Sequence, residues 1–194
     1  MNYLAHIQLA HASQTSLLGN FLGDFVKGSN LRHLDEHIYR GVSLHRSIDS
    51  FTDSHPIVRG LREHFPSHLR RMSGVMLDVY FDHLLCCHWG LYSKQHLHSV
   101  TDEFYAELEQ SSLTIPGRYD AVKEGLLQHR WLGDYQQSTA CLRAFINIEK
   151  RLRHRVIFAQ QGYQFVVEHH AHIEEAFFGF YPQLLTLVKS QNRG

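Results

Sequence analysis

The sequence predicts an all-α fold, and three observations support this class. Apolar residues recur three and four positions apart along almost the whole chain, as on one face of an α-helix. Alternation of apolar and polar residues with a period of two, which is typical of strands, is scarce. The 194 residues, 43% of them hydrophobic, suit one well-buried core rather than two. We therefore expect a single-domain helical bundle over residues 1–194.

Capping residues and helix breakers place nine helices along the chain. Small polar residues and proline favour the first turn of a helix, because they satisfy or tolerate its free amides, and glycine favours the end. The predicted helices start near Asn2, Ser13, Asp35, Pro56, Ser73, Ser99, Ala121, Ser138 and Tyr163. From the second helix onward, the predicted ends lie near Gly28, Ser54, His64, Trp89, Gln110, Trp131, His154 and Val188. Segments 29–34 and 111–118 are then connections, and Pro182 is predicted to kink or break the last helix.

The composition argues against several classes of protein. Lys and Arg number 19, as do Asp and Glu, so no overall positive charge favours a nucleic-acid partner. No Lys or Arg precedes Lys27 and no apolar run reaches about 18 residues, so neither a secretion signal nor a membrane span is expected. The three cysteines, Cys86, Cys87 and Cys141, form no C-x-x-C motif and favour a reducing compartment. We expect a cytoplasmic protein without a membrane partner.

The motifs of several enzyme classes are missing from the sequence. It contains no G-x-G-x-x-G, no G-x-x-x-x-G-K-[ST], no G-x-S-x-G and no H-E-x-x-H. Dinucleotide-binding folds, P-loop proteins, nucleophile-elbow hydrolases and zincins are therefore not indicated. The absence of E-x-x-H also argues against a ferritin-like di-iron site.

Acidic and imidazole side chains interrupt the apolar faces of the predicted helices. His45 and Asp49, for example, are four residues apart on the face of the third helix that carries Val42. An ionisable group inside a core is costly unless it is paired or bound to metal. The residues of this kind are Asp24, His45, Asp49, Asp78, Asp82 and His83, with His6 as a weaker candidate. They predict either a divalent metal site suited to manganese, iron or magnesium, or buried side chains that only form hydrogen bonds and ion pairs.

Two basic stretches and one histidine-rich segment stand out elsewhere in the chain. The basic stretches are Arg59, Arg62, Arg70 and Arg71, and Lys150, Arg151, Arg153 and Arg155. Each is either a solvated surface or a site for an acidic protein or a phosphate, which the planar guanidinium group binds well. His169, His170 and His172, followed by Glu174 and Glu175, are interpreted as a solvated helix face.

In these segments the chain resembles the acyl carrier protein phosphodiesterases, a helical family regarded as a distant branch of the HD-domain metal-dependent phosphohydrolases. The residues that carry the resemblance are Asn2 to His6 with His11, Gly19-Asn20 with Asp24-Phe25-Val26, His45-Arg46 with Ile48-Asp49 and Thr52-Asp53, Leu77-Asp78-Val79 with Asp82-His83 and His88-Trp89, and Phe180-Tyr181-Pro182. The match covers most of the chain and depends least on residues 93–165. Ordinary HD-domain enzymes carry His followed by Asp, whereas this chain reads Asp82-His83.

The resemblance implies hydrolysis of the phosphodiester that joins 4′-phosphopantetheine to a serine of holo acyl carrier protein, with manganese as the usual cofactor. The candidate ligands are then Asp24, His45, Asp78, Asp82 and His83. Asp49 is predicted to be a ligand or a base that orients water, Arg46 to hold a phosphate oxygen, and His6 to protonate the departing serine oxygen. Because acyl carrier proteins present an acidic helix, a basic rim would receive the partner, formed either by Arg59, Arg62, Arg70 and Arg71 or by Lys150, Arg151, Arg153 and Arg155.

Two other functions fit the same residues. A phosphohydrolase of a small nucleotide or phosphoester would need the metal site but no surface for a protein. A non-catalytic helical adaptor would use the buried Asp and His residues for stability only, so a chelator would leave that stability unchanged.

Overall fold

The computed structural model describes residues 1–28, 31 and 34–191. Within these ranges the chain forms twelve α-helices, one 3₁₀-helix and no strand, which confirms the all-α class. The α-helices are α1 Tyr3–Ala12, α2 Leu17–Leu22, α3 Glu36–Ser54, α4 Pro56–His64, α5 Ser67–Arg70, α6 Ser73–Cys87, α7 Trp89–Tyr92, α8 Leu97–Gln110, α9 Tyr119–His129, α10 Thr139–Arg151, α11 Ala159–Glu168 and α12 His170–Gln191. The 3₁₀-helix is Trp131–Gln136. None of the described helices is long and apolar enough to cross a membrane.

Helices α2 and α3 cross with their backbones in close contact. A Cβ atom on Gly41 of α3 would lie 2.6 Å from the backbone nitrogen of Asn20 and 2.7 Å from Cα of Gly19. Only glycine allows this approach. Asn20 directly follows Gly19, and His45 lies one turn after Gly41, so the crossing brings two polar side chains to the boundary between the helices.

The start of α1 is held by a carboxylate from α6. Asp82 is fully buried, and its two oxygens accept hydrogen bonds from the backbone amides of Leu4 at 2.9 Å and Ala5 at 3.0 Å. First-turn amides have no partner within their own helix, so this carboxylate satisfies two of them. Asn2, the predicted cap, makes no such bond and instead donates to the hydroxyl of Tyr135 at 3.1 Å.

Helix α2 starts later and ends earlier than the sequence predicts. Ser16 is its capping residue, and its hydroxyl accepts a hydrogen bond from the amide of Gly19 at 2.9 Å. Ser13, the predicted cap, instead donates its hydroxyl back to the carbonyl of Leu9 at the end of α1. The helix ends at Leu22 and is followed by a turn, so the predicted end near Gly28 is wrong.

Several later boundaries also differ from the prediction. The predicted start at Ser99 is wrong because α8 begins at Leu97, and α5 and α7 are short helices that the sequence did not predict. The last predicted helix is divided into α11 and α12 at His169. The predicted break at Pro182 does not occur, because the neighbouring Phe180 and Tyr181 are fully buried and their packing holds α12 together.

The predicted connections lie between helices as far as the structure describes them. Residues 111–118 separate α8 from α9. In the 29–34 segment, Leu31 and Leu34 lie outside helices, while Ser29, Asn30, Arg32 and His33 lie outside the described residues. Helix α10 ends at Arg151, before the predicted end at His154, because Arg153 and His154 both have a left-handed backbone with φ of 53°.

Candidate metal centre

Three side chains from α1 and α3 meet at one point of the bundle. Nε2 of His6 lies 3.1 Å from Oδ1 of Asp49, and Nε2 of His45 lies 3.0 Å from Oδ2 of the same carboxylate. The three donor atoms lie within 4.8 Å of one another, and no other such group occurs in the described part of the chain. We call His6, His45 and Asp49 the histidine–aspartate cluster. The side chain of Asp49 is 42% exposed, so the cluster opens to solvent on that side.

The helices position this cluster through spacing and close packing. His45 and Asp49 are four residues apart on α3 and therefore lie on one face. The imidazole ring of His6 stacks on that of His45, with centroids 4.0 Å apart and planes 18° from parallel. Gly23 makes room for this stack, since a Cβ atom there would lie 2.2 Å from Cγ of His45.

Asn20 on α2 orients the ring of His6. The Nδ1–H group of His6 donates to Oδ1 of Asn20 at 2.8 Å, and both side chains are buried. Because an amide oxygen only accepts, this bond directs the lone pair of a neutral His6 at Nε2 towards Asp49. The buried Nδ1 of His45 has no hydrogen-bond partner within the described residues. This role of Asn20 is not predicted by the helical periodicity of the sequence, although the Gly19-Asn20 pair is part of the motif that carries the family resemblance.

Burial and neighbouring charges set the protonation of the cluster. Burial and the nearby His45 together lower the pKa of His6 to about 4, so His6 is neutral at pH 7. Burial raises the pKa of Asp49, but the contact with Nε2 of His45 and the nearby Met1 amino group act in the opposite direction, and this pKa lies far below its ordinary value. The cluster therefore presents a neutral imidazole and a carboxylate, which is the protonation state that metal binding needs.

A positive charge already lies between Asp49 and a second carboxylate. The amino group of Met1 is 3.1 Å from Oδ1 of Asp78 and 3.5 Å from Oδ1 of Asp49. Burial lowers the pKa of this amino group, but the two carboxylates more than compensate and raise it to about 10. Burial raises the pKa of Asp78 itself, although the amino group opposes that shift. Asp78 thus borders the cluster without belonging to it.

The other predicted ligands lie elsewhere. Asp82 binds the amides at the start of α1, and Nδ1–H of His83 donates to the carbonyl of Tyr135 at 2.7 Å. Asp24 is exposed and pairs with Arg118, with 3.6 Å between Oδ1 and the guanidinium nitrogen. The structure therefore brings together His45, Asp49 and the weaker candidate His6, and leaves Asp24, Asp82 and His83 outside the cluster.

Arg46 follows His45 but is not directed at the cluster. Its guanidinium group donates to the carbonyl of Gly28 at 2.7 Å and to that of Val26 at 3.3 Å. These bonds tie α3 to the segment after α2. The predicted contact of Arg46 with a phosphate oxygen stays a prediction.

A cleft of about 640 Å³ adjoins the cluster, between the start of the chain, α6, α9, α10 and the 3₁₀-helix. Met1 and Asp78 both line it, and the Met1 amino group contacts the carboxylates of Asp49 and Asp78. Its other charged lining residues include Asp24, Arg118, Arg143 and Arg151, and its apolar ones include Val75, Val79, Trp131, Ala144 and Ile148. This volume is typical of sites for small organic molecules, and the mixed lining suits an amphipathic, anionic one.

The chain is similar over almost its whole length to one family of enzymes. Residues 1–184 match the family model of acyl carrier protein phosphodiesterase. The acyl carrier protein phosphodiesterase of Pectobacterium atrosepticum is 33% identical over 192 residues, which cover 98% of this chain and 99% of that protein. The protein of the same name from Klebsiella pneumoniae strain 342 is 34% identical over 195 residues, which cover 98% and 99% respectively. No solved structure matches the chain.

Proposed function

The chain belongs to the acyl carrier protein phosphodiesterase family, and from this we propose that it hydrolyses the phosphodiester between 4′-phosphopantetheine and a serine of holo acyl carrier protein. In the proposed reaction, water adds to phosphorus and the bond from phosphorus to the serine oxygen breaks. The serine oxygen takes up a proton, and the products are apo acyl carrier protein and free 4′-phosphopantetheine.

The observation that carries the proposal is the histidine–aspartate cluster beside the cleft. Two imidazole nitrogens and a carboxylate oxygen within 4.8 Å fit a divalent cation such as manganese or iron. When bound, such a cation would lower the pKa of a water molecule and offset charge on the phosphoryl oxygens.

We assign His6, His45 and Asp49 as the residues that would hold the metal. For His6 this replaces the expected role of proton donor, since a histidine with a pKa of about 4 carries no proton to give near pH 7. For Asp49 the low pKa favours the role of ligand over that of base. Asp78, on the other side of the Met1 amino group, is then the carboxylate available to orient water.

The cleft supports a substrate with a pantetheine arm. Its apolar wall, which includes Val75 and Ile148, suits the methyl groups and methylenes of such an arm. Arg118 and Arg151 on the same cleft suit a phosphate. We also propose a cytoplasmic location, which the three free thiols Cys86, Cys87 and Cys141 support.

The test follows the mass of a holo acyl carrier protein incubated with the purified protein, with manganese and with a chelator. Loss of the phosphopantetheinyl group in manganese alone is the expected result. An unchanged carrier mass together with hydrolysis of nucleotides or other small phosphoesters would instead support the second function considered above.

A pair of variants connects the activity to the cluster. His45→Ala should abolish both cleavage and metal content by elemental analysis, whereas His172→Ala, which removes an exposed histidine on α12, should change neither. If the unmodified protein bound no metal and His45→Ala changed only its stability, the chain would instead be a non-catalytic helical adaptor.

A further inference from the structure

A second hollow, of about 440 Å³, lies next to the cleft and is lined by arginine residues from distant parts of the sequence. Arg71 enters it from the turn between α5 and α6, and Arg151, Arg153 and Arg155 enter it from the end of α10 and the turn that follows. We call this feature the arginine hollow. Its other lining residues are apolar: Met72, Val75, Ile148, Leu152 and Val156.

The conformation of the backbone after α10 explains why these arginines converge on one hollow. Arg153 and His154 both have φ of 53°, a left-handed conformation that side-chain-bearing residues rarely adopt. Each amide in this turn is nevertheless bonded, since Arg153 donates to the carbonyl of Lys150, and Arg155 to that of Leu152. The chain is thereby reversed within a few residues, and three arginines face one hollow instead of following one helix face.

None of the four arginines of the hollow has a carboxylate partner within the described residues. Other arginines of the chain do have one, as Arg62 does in Asp53, Arg118 in Asp24, Arg130 in Asp102 and Arg143 in Asp134. All four side chains of the hollow are exposed. In a chain with a formal net charge of zero, four positive charges therefore remain uncompensated in one place.

The arginine hollow and the cleft share an edge. Val75, Ile148 and Arg151 line both. A molecule that inserts a group into the cleft must therefore place the surface around that group over the hollow.

We propose that the arginine hollow is the docking surface for an acidic face of the protein substrate; this rests on the function proposed above. The face would lie beside the modified serine, so that the pantetheine arm enters the cleft while carboxylates meet Arg71, Arg153 and Arg155. Ile157, which is 76% exposed and follows Val156 in the chain, offers an apolar contact at the rim.

The distribution of charge around the hollow favours a partner with a compact acidic patch over an extended polyanion such as a nucleic acid. Asp24, Asp78 and Asp134 line the adjoining cleft. A nucleic acid running across the hollow would meet these carboxylates, and an anionic membrane would have to face them together with the arginines. A folded protein can place its acidic side chains over the arginines of the hollow and keep them away from the carboxylates of the cleft.

The proposal also selects between the two basic stretches of the sequence. Arg71 of the first stretch lines the hollow, whereas Arg62 pairs with Asp53, and Arg70 donates to the carbonyls of Glu63 and Phe65. The docking surface thus combines one residue of the first stretch with three of the second.

The test compares Arg71→Glu/Arg155→Glu with Lys94→Glu/Lys189→Glu, which changes the net charge equally at exposed sites outside the hollow. Both pairs leave the cleft and the histidine–aspartate cluster intact. With holo acyl carrier protein at low salt, we expect kcat/KM of the first variant to fall about 10- to 100-fold, mostly through KM, and the loss to shrink as salt rises. The second variant should match the unmodified protein.

A neutral peptide carrying the same phosphopantetheinyl serine separates docking from chemistry. We expect both variants to cleave it equally well, and thermal unfolding should show that both are folded. Equal cleavage of the carrier protein by the two variants would overturn the docking proposal while leaving the proposed function in place. Failure of the unmodified protein to cleave any holo carrier protein would overturn both. Binding to DNA or phosphatidylglycerol vesicles that only the first variant loses, without a change in carrier cleavage, would overturn the docking proposal alone.

Discussion

The Oδ1 atom of Asn20 accepts the Nδ1 proton of His6 at 2.8 Å and thereby points the Nε2 lone pair of a neutral ring at the carboxylate of Asp49. Two acceptors 3.1 Å apart repel each other unless a proton or a cation lies between them. Since the pKa of His6 is about 4, the ring carries one proton at pH 7, and the bond to Asn20 places it on Nδ1. The arrangement therefore favours a cation between Nε2 and Asp49.

Asn20→Leu should therefore weaken metal binding. We expect a loss of about 10- to 100-fold in metal affinity, as is usual when the partner of a ligating histidine is removed. Asn20→Asp is the matched control, because it keeps an oxygen acceptor and Nδ2 of Asn20 has no partner to lose among the described residues. Calorimetric titration with manganese measures the metal affinity of each variant. Equal affinities of Asn20→Leu and Asn20→Asp would show that Asn20 does not act through His6.

Gly23→Ala should displace His45 from the cluster. Its new Cβ would lie 2.2 Å from Cγ of His45, a distance that no packed pair of atoms tolerates, so the ring must move away from Asp49. We expect loss of bound metal and at least about a 100-fold fall in activity, since small displacements of reacting groups have effects of this size. Gly60→Ala provides the control, because a Cβ there has nothing within 4 Å and alanine favours the helix α4.

Asp82→Ala should act on stability. It leaves the amides of Leu4 and Ala5 buried without a partner, so we expect the free energy of unfolding to fall by about 2–4 kcal/mol. Urea denaturation measures this change. A protein of unchanged stability that lost only its metal would instead support the original prediction that Asp82 is a ligand.

The same substitution should have a pH-dependent effect. Burial raises the pKa of Asp82 to about 7, although the two amide bonds oppose the shift. In the unfolded chain this carboxyl ionises near pH 4. Between these values the folded state binds more protons, so the contribution of Asp82 to stability decreases as the pH rises from 4 to 7, by at most about 1.4 kcal/mol per pH unit. The stability loss in Asp82→Ala should accordingly be larger at pH 5 than at pH 8.

His6 should give a pH dependence of opposite sign. Its pKa falls from an ordinary value near 6.5 to about 4 on folding, so between pH 4 and 6.5 the unfolded chain binds more protons. Stability due to this residue is present above pH 6.5 and is lost as the solution is acidified towards pH 4. The free energy of unfolding, measured by urea denaturation at several pH values, should vary less with pH over that interval in His6→Gln than in the unmodified protein. An equal variation with pH in the two proteins would contradict the lowered pKa.

Local spacing predicted the part of the site that lies on one helix. His45 and Asp49 are one turn apart, and helical periodicity alone places them on a common face. The role of Asp82 could not be read in this way, because its partners are backbone amides 77 and 78 residues away. The same limit applies to Arg71, which shares a hollow with Arg151 only through tertiary packing. The division between α11 and α12 at His169 also has no capping residue or glycine that would have marked it.

The long-range bond from Asp82 to the start of α1 has a consequence for biosynthesis. As the ribosome releases the chain, His6 emerges early, but the carboxylate that fixes its helix follows only about 75 residues later. Until α6 has left the exit tunnel, the amides of Leu4 and Ala5 lack this partner, and only other contacts, such as those of His6 with Asn20 and His45, hold the first helix. We therefore expect the centre to be completed late in folding, and a nascent chain truncated before α6 to bind manganese more weakly than the full chain.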